Sequence, residues 1–127
     1  MIDTVLATWQ PRVLSVLRIV TALLFLQHGL VKIIGFPVAG PATLSPLYMA
    51  AAAIEVVGSL LLIVGLFTRL AAFIVSGEMA FAYFIGHFPS GFYPIANRGE
   101  GAILFCFIFL YITFAGPGPW SLDASRK

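Results

Sequence analysis

The chain has 127 residues, 61% of them hydrophobic and only 9% charged, with a net charge of +2. A soluble domain is about 45–50% apolar and about 25% charged, so seven basic and five acidic side chains cannot clothe a soluble surface. Too few and too scattered for a nucleic-acid face, the basic residues leave one class standing, an integral membrane protein of a single domain.

A membrane span takes about 20 mainly apolar residues. The first runs from Arg12 to Ile34, with Pro11 just before it, where a helix tolerates proline. It is too long for a signal-peptide core and lacks a small-x-small cleavage site, so it reads as a retained span. Gly35-Phe36-Pro37 opens a turn-rich stretch to Pro46. The second span covers 47–67, Thr68-Arg69 makes a tight loop, and the third covers 70–88. Pro89-Ser90-Gly91 breaks it, and the fourth span, 99–115, ends at Gly116-Pro117-Gly118-Pro119. Trp120 follows at interfacial depth, before a short polar tail. Membrane strands would be about 10 residues of alternating character, and these runs are longer and apolar all round.

The expected fold is therefore all-α, a four-helix up-down-up-down bundle across the bilayer. Basic flanks set its orientation. Arg12, Arg69, Arg126 and Lys127 mark one side, Lys32 and Arg98 the other. Both termini are expected in the cytoplasm, with loops 35–46 and 89–98 facing outward. The chain is expected to cross its membrane several times, with the lipid bilayer as the first partner. Gly58, Ser59 and Gly65 let helices approach closely. Ordinary bundle packing accounts for them, and a homo-oligomer is the alternative.

Chemical information lies in the ionisable residues within the spans. Each costs about 2.5–3.5 kcal/mol if left charged and unpaired at mid-bilayer, so Arg18, Lys32, Glu55 and Glu78 must face the interior. At about 100° per residue, Arg18, Thr21 and Lys32 share a face of the first span, with His28 about 40° further round. Depth along the helices groups His28, Lys32 and Glu55 in the outer half and pairs Arg18 with Glu78 further in. Glu100, with Arg98, His87 and Tyr93, belongs to the outer rim.

A protonatable group beside an aromatic-lined apolar pocket suits a quinone headgroup or a similar flat ligand. His28 and Glu55 are the candidates for accepting its protons, while Lys32, His87, Tyr93 and Glu100 are the candidate ligand-binding residues. Arg18 and Glu78 form the expected supporting ion pair. Axial haem ligation by His28 and His87 has only ligand type in its favour, and a metal site of His28, Glu55 and His87 has no further support. Cys106 is alone, which excludes an intramolecular disulfide, a C-x-x-C redox pair and a thiolate cluster. It reads as a small core residue. No Ser-His-Asp set, phosphate loop or nucleotide fingerprint is present.

These residues also carry a resemblance. Gln27-His28-Gly29 is followed by Lys32 and Gly35-Phe36-Pro37. Then come Glu55-Val56-Val57-Gly58 and Gly65-Leu66-Phe67-Thr68-Arg69. Gly77-Glu78-Met79-Ala80, Ala82-Tyr83-Phe84 and His87-Phe88-Pro89-Ser90-Gly91-Phe92 follow. Asn97, Glu100 and Gly116-Pro117-Gly118-Pro119-Trp120-Ser121-Leu122-Asp123 complete the set. In order and spacing the pattern resembles the DoxX family of small four-span bacterial membrane proteins, over nearly the whole chain. Arg98 departs from it, standing where members often have a second small residue.

The resemblance implies a link to membrane redox systems: quinol-oxidase and thiosulfate:quinone oxidoreductase subunits, and membrane partners of oxidative-stress enzymes. The expected function is a quinone-linked redox protein, or the membrane subunit of an oxidoreductase system with a soluble or membrane partner. The competing class is a non-enzymatic assembly or docking subunit whose charges only hold the bundle. A small-solute transporter is the third reading, and four spans would need to oligomerise to enclose a pathway.

Overall fold

Long apolar runs with few glycines favour helix throughout, and the computed structural model bears this out. It describes residues 1–126, among which every regular element is helical. The elements are α1 (Ile2–Ile34), α2 (Pro46–Val64), α3 (Thr68–Gly86), a 3₁₀ turn (Phe88–Ser90), α4 (Pro94–Asn97), α5 (Glu100–Ala115) and α6 (Leu122–Ser125). Lys127, one of the expected basic flanking residues, lies outside the described residues.

The helix α1 is longer than the first span. Its 33 residues carry Pro11 inside the helix, where proline removes one backbone bond without ending the rod. At 1.5 Å per residue α1 is about 50 Å long, well beyond a hydrocarbon core of about 30 Å. Residues 1–11 are exposed, and burial begins at Leu14. Ser45 opens α2, its Oγ accepting from the Tyr48 amide at 3.2 Å, with Pro46 in the first turn. Gly65 closes α2 in the left-handed region at φ 71°. A β-carbon there would also press on the backbone of Ser121, 3.0 Å from its Cα.

Contacts fix the packing. Arg18 meets Leu62, and Gly29 lies against Glu55 and Val56, so α1 and α2 run in opposite directions. A β-carbon on Gly29 would come within 2.7 Å of Val56 Cγ2, so hydrogen alone permits this approach. Likewise Ser76 donates to the Cys106 carbonyl at 2.7 Å, and Arg69 to the Phe114 carbonyl at 2.6 Å, so α5 runs back along α3. The α1–α2 and α3–α5 pairs are the most extensive, with α2 against α3 joining them. Phe25, Leu62, Val75, Phe109 and Ile112 are fully buried between the helices. Large apolar side chains such as Val57, Phe73 and Phe107 face outward. An apolar exterior around a thin core is the mark of a protein solvated by lipid.

Three helices, α1, α2 and α3, are long and apolar enough to cross a membrane. The expected fourth span is α5, an apolar helix of 16 residues. It is about 24 Å long, because Gly116 leaves the helical region at φ 88° and stops it.

Residues 116–126 are no loose tail. They pack against α1 at Ser15 and Arg18, well inside that helix, and against the facing ends of α2 and α3. Ser15 Oγ donates to the Pro117 carbonyl at 3.2 Å and accepts from the Trp120 amide at 3.1 Å. The Asp123 amide donates to the Gly65 carbonyl at 2.9 Å. The Asp123 carboxylate accepts from the amides of Phe67, at 3.0 Å, and Thr68, at 2.9 Å, at the start of α3. This is a helix cap supplied from 55 residues away. Burial pushes the Asp123 carboxyl up, but the Thr68 and Phe67 donors and the nearby Arg126 outweigh it and hold it below the usual carboxylate range.

Candidate functional site

Glu55 lies near the middle of α2, about 14 Å from its start, and its side chain is 2% exposed. Lys32, in the last turn of α1, reaches across to place Nζ 2.7 Å from Glu55 Oε1. The same ammonium donates to the His28 carbonyl one turn back, at 3.4 Å. The close α1–α2 approach at Gly29 makes this reach possible. An unpaired carboxylate at this depth would be strongly disfavoured, and the ammonium neutralises it.

Beside this pair lies a groove of about 640 Å³, closed on one side by the 35–45 loop. Leu24, Pro37 and Phe105 make apolar walls, and Gln27, His28 and Lys32 supply polar groups at its edge. The His28 ring stands edge-on to Phe105, with centroids 5.5 Å apart. Tyr48, from the first turn of α2, also lines it. The groove is large enough for an aromatic headgroup and presents one cation, one imidazole and one amide.

Three residues expected at the ligand lie elsewhere. Glu55, an expected proton acceptor, meets the groove only through Lys32, and His87, Tyr93 and Glu100 do not line it. These three belong to a separate segment after the C-terminal end of α3, organised by the buried Asn97. Asn97 donates to Tyr83 Oη at 3.1 Å and to the Gly91 carbonyl at 2.9 Å, and accepts from the Gly99 amide at 2.8 Å. His87 Nδ1 pairs with the Asn97 carbonyl at 3.0 Å, and its ring stacks on Tyr83. Tyr93 and Glu100 are exposed. The physical reason is that α5 packs on α3, which draws the whole 87–100 segment to that side.

The Arg18–Glu78 pair does not form. Fully buried, Arg18 spends its donors on backbone: Nε to the Leu62 carbonyl at 2.7 Å, Nη2 to the Trp120 carbonyl at 2.6 Å, and Nη1 to the Pro117 carbonyl. Leu62 lies in the last turn of α2, whose carbonyls lack helical partners and favour a cation. Pro117 and Trp120 offer further free acceptors in a stretch with no helix. Three carbonyls converging on one guanidinium outcompete a distant carboxylate. Glu78 lies instead within the electrostatic reach of Glu55 and Lys32. Its Oε1 is buried without a partner among the described residues. Cys106 is half-buried, its Sγ 3.6 Å from Ser76 Oγ.

Sequence reasoning missed the roles of Ser15 and Asp123 and the adjacency of Glu55 and Glu78. A signal existed for the last. A position about 12 Å from one end of a span and another about 12 Å from the other end of the next stand only about 6 Å apart in depth in a span of about 30 Å, roughly one helical turn.

Three membrane-length apolar helices with polar side chains gathered between them define a multi-pass helical membrane protein. The chain belongs to the DoxX family, whose model matches residues 13–88. That stretch holds His28, Lys32, Glu55 and Glu78, while Glu100 and the C-terminal clasp lie beyond it. The chain is also similar to an uncharacterized protein of Haemophilus influenzae, 47% identical over 125 residues and covering 93% of each chain. No solved structure matches.

Proposed function

We propose that this DoxX protein binds a quinone in the His28–Lys32 groove and serves as the membrane subunit of an oxidoreductase system in the bacterial inner membrane. The observation that carries the reading is the groove itself: apolar and aromatic walls beside an imidazole and an ammonium backed by a buried carboxylate. Lys32 and Gln27 would bind the headgroup oxygens, His28 would exchange a proton with one of them, and Glu55 would hold Lys32 in place. Electrons would pass to or from a partner redox protein, which this chain would anchor.

In this reading α1, α2, α3 and α5 form an up-down-up-down bundle across the bilayer, with α5 the shortest crossing. Both termini lie on the cytoplasmic side. Support comes from Arg12, Arg69 and Arg126, which sit with the C-terminal clasp at one end, while Lys32 and Arg98 lie toward the other.

The test is quinone content, measured by mass spectrometry of an organic extract from protein in native-lipid discs against empty discs. The expected result is about one quinone per chain, with loss in His28→Ala and in Lys32→Met. Background quinone in the wild type would overturn the ligand reading. It would favour a docking subunit, a reading to which Arg18 lends weight as a buried charge used wholly for architecture.

A further inference from the structure

The groove follows α1 from Lys32 to Leu24. Lys32 lies about 3 Å inside the end of that helix, His28 about 9 Å and Leu24 about 15 Å. The last depth is close to the midplane of a hydrocarbon core of about 30 Å. Polar groups thus gather toward one end of the groove, and its apolar wall continues to the middle of the bilayer.

Two sides are closed. At the end of α1, Pro37, Val38 and Pro41 cover the groove. Gly40 sits so tightly on α1 that a β-carbon there would collide with the Val31 carbonyl. Toward the bundle interior, the fully buried Phe25 ring packs on Phe105 and Phe109, with centroids 5.4 and 5.1 Å away. These rings form an aromatic floor. On the remaining flank α1 and α5 touch far less than α1 and α2 do, and Leu24, Gln27 and His28 are exposed. An exposed leucine near the midplane meets acyl chains, not water.

We propose that the groove is a lateral port, closed toward water by the 35–45 loop and open to the bilayer between α1 and α5. The inference deepens the ligand reading and takes from it the headgroup contacts at Gln27, His28 and Lys32. The occupant is an amphiphile dissolved in the bilayer, with a flat hydrogen-bonding head on a long apolar tail. It enters sideways and leaves its tail among the acyl chains past Leu24. Lipid tails are as apolar as leucine, so the tail gains little by burial. Affinity comes from the head, and the open flank selects which molecules reach the site. A water-borne solute with the same head meets the loop instead.

Fluorescence quenching in lipid discs tests the port. Phe105→Trp puts a reporter on the groove wall, in a chain whose own tryptophans are replaced by Trp9→Phe and Trp120→Phe. Phosphatidylcholine brominated at mid-chain should quench the reporter, and aqueous iodide should leave it nearly unquenched. Adding Gly40→Ala, which pushes the loop off Val31, should let iodide in. Quenching by iodide with none by brominated chains would overturn the port. A second arm uses the wild-type protein and mass spectrometry. Discs are equilibrated with a quinone bearing an isoprenoid tail, or with the same ring bearing a sulfonate in place of the tail. The expected retention is about one tailed quinone per chain and roughly tenfold less of the sulfonate. Equal retention of the two would overturn the lateral route. Quenching by brominated chains with neither quinone retained would sustain the port and overturn the quinone reading alone.

Discussion

Arg18 reaches from α1 to the Leu62 carbonyl of α2, with 2.7 Å between Nε and O, and fastens the first helix of the chain to its C-terminal turn through the same guanidinium. The planar fork meets three carbonyls that no helix satisfies. Position, more than charge neutralisation, is what this residue supplies.

Replacing Arg18 with Met strips the guanidinium from three carbonyls, of which Pro117 keeps only Ser15 Oγ as a donor. The expected loss of stability is on the order of 3–5 kcal/mol, the scale for breaking a buried charged network. Arg18→Lys recovers only part of it, because one ammonium cannot span all three acceptors. Thermal unfolding in discs, with limited proteolysis of residues 116–126, measures both. An Arg18→Lys protein as stable and as protected as the wild type would show that a point charge suffices.

Asp123 caps α3 from a distant part of the chain, and Asp123→Ala should cost about 1 kcal/mol. Its carboxyl is held below the usual carboxylate range, so the folded state binds its proton less readily than the unfolded state. The contribution is fully present above the unfolded value of about 3.9 and disappears as pH falls through the lower folded value. Unfolding midpoints of wild type and Asp123→Ala should differ at neutral pH and converge in acid. A constant gap down to the most acid condition would contradict the cap.

Lys32→Met removes the cation from Glu55. A destabilisation of about 3 kcal/mol is expected, and Lys32→Met/Glu55→Met should regain most of it, because no buried charge is then orphaned. Two single variants and the double variant in a thermal unfolding cycle give the coupling. Strict additivity would mean that the 2.7 Å contact contributes nothing to stability.

Asn97→Ala deletes three hydrogen bonds of the 87–99 segment, at about 1 kcal/mol each. Hydrogen exchange should accelerate in residues 87–99 and leave the His28 groove as it was, because His87, Tyr93 and Glu100 take no part in it. A matching loss of protection at His28 and Lys32 would reveal one continuous outer site.

Run length and hydropathy carry most of the fold to the surface of the sequence. Apolar stretches broken by Gly-Phe-Pro and Pro-Ser-Gly leave little freedom in where the helices lie. Depth counting groups Lys32 and Glu55 in one half of the bundle, about 9 Å apart in backbone depth, and the long lysine side chain closes that gap. The same counting brings Glu78 within about 6 Å of the Glu55 level, yet a search for opposite charges passes over two like groups and seeks Arg18. What misleads there is the acceptor: backbone carbonyls have no letter in a sequence, and the Gly116–Pro119 stretch reads only as a helix stop. The placing of His87, Tyr93 and Glu100 depends on which neighbour α5 chooses. That choice rests on packing spread over many side chains, such as Phe109 and Ile112, and no local pattern announces it.

The clasp also has a place in time. Arg18 enters the membrane 99 residues before Pro117 and 102 before Trp120 are made. At about 5–20 residues per second, the guanidinium waits on the order of 5–20 seconds for its acceptors. Until then the first helix holds an unfulfilled charge, and the chain is open to handling by the insertion machinery. Residues made long after the first helix are therefore the ones that complete its anchoring, and a message truncated shortly before Pro117 would leave Arg18 with the Leu62 carbonyl alone.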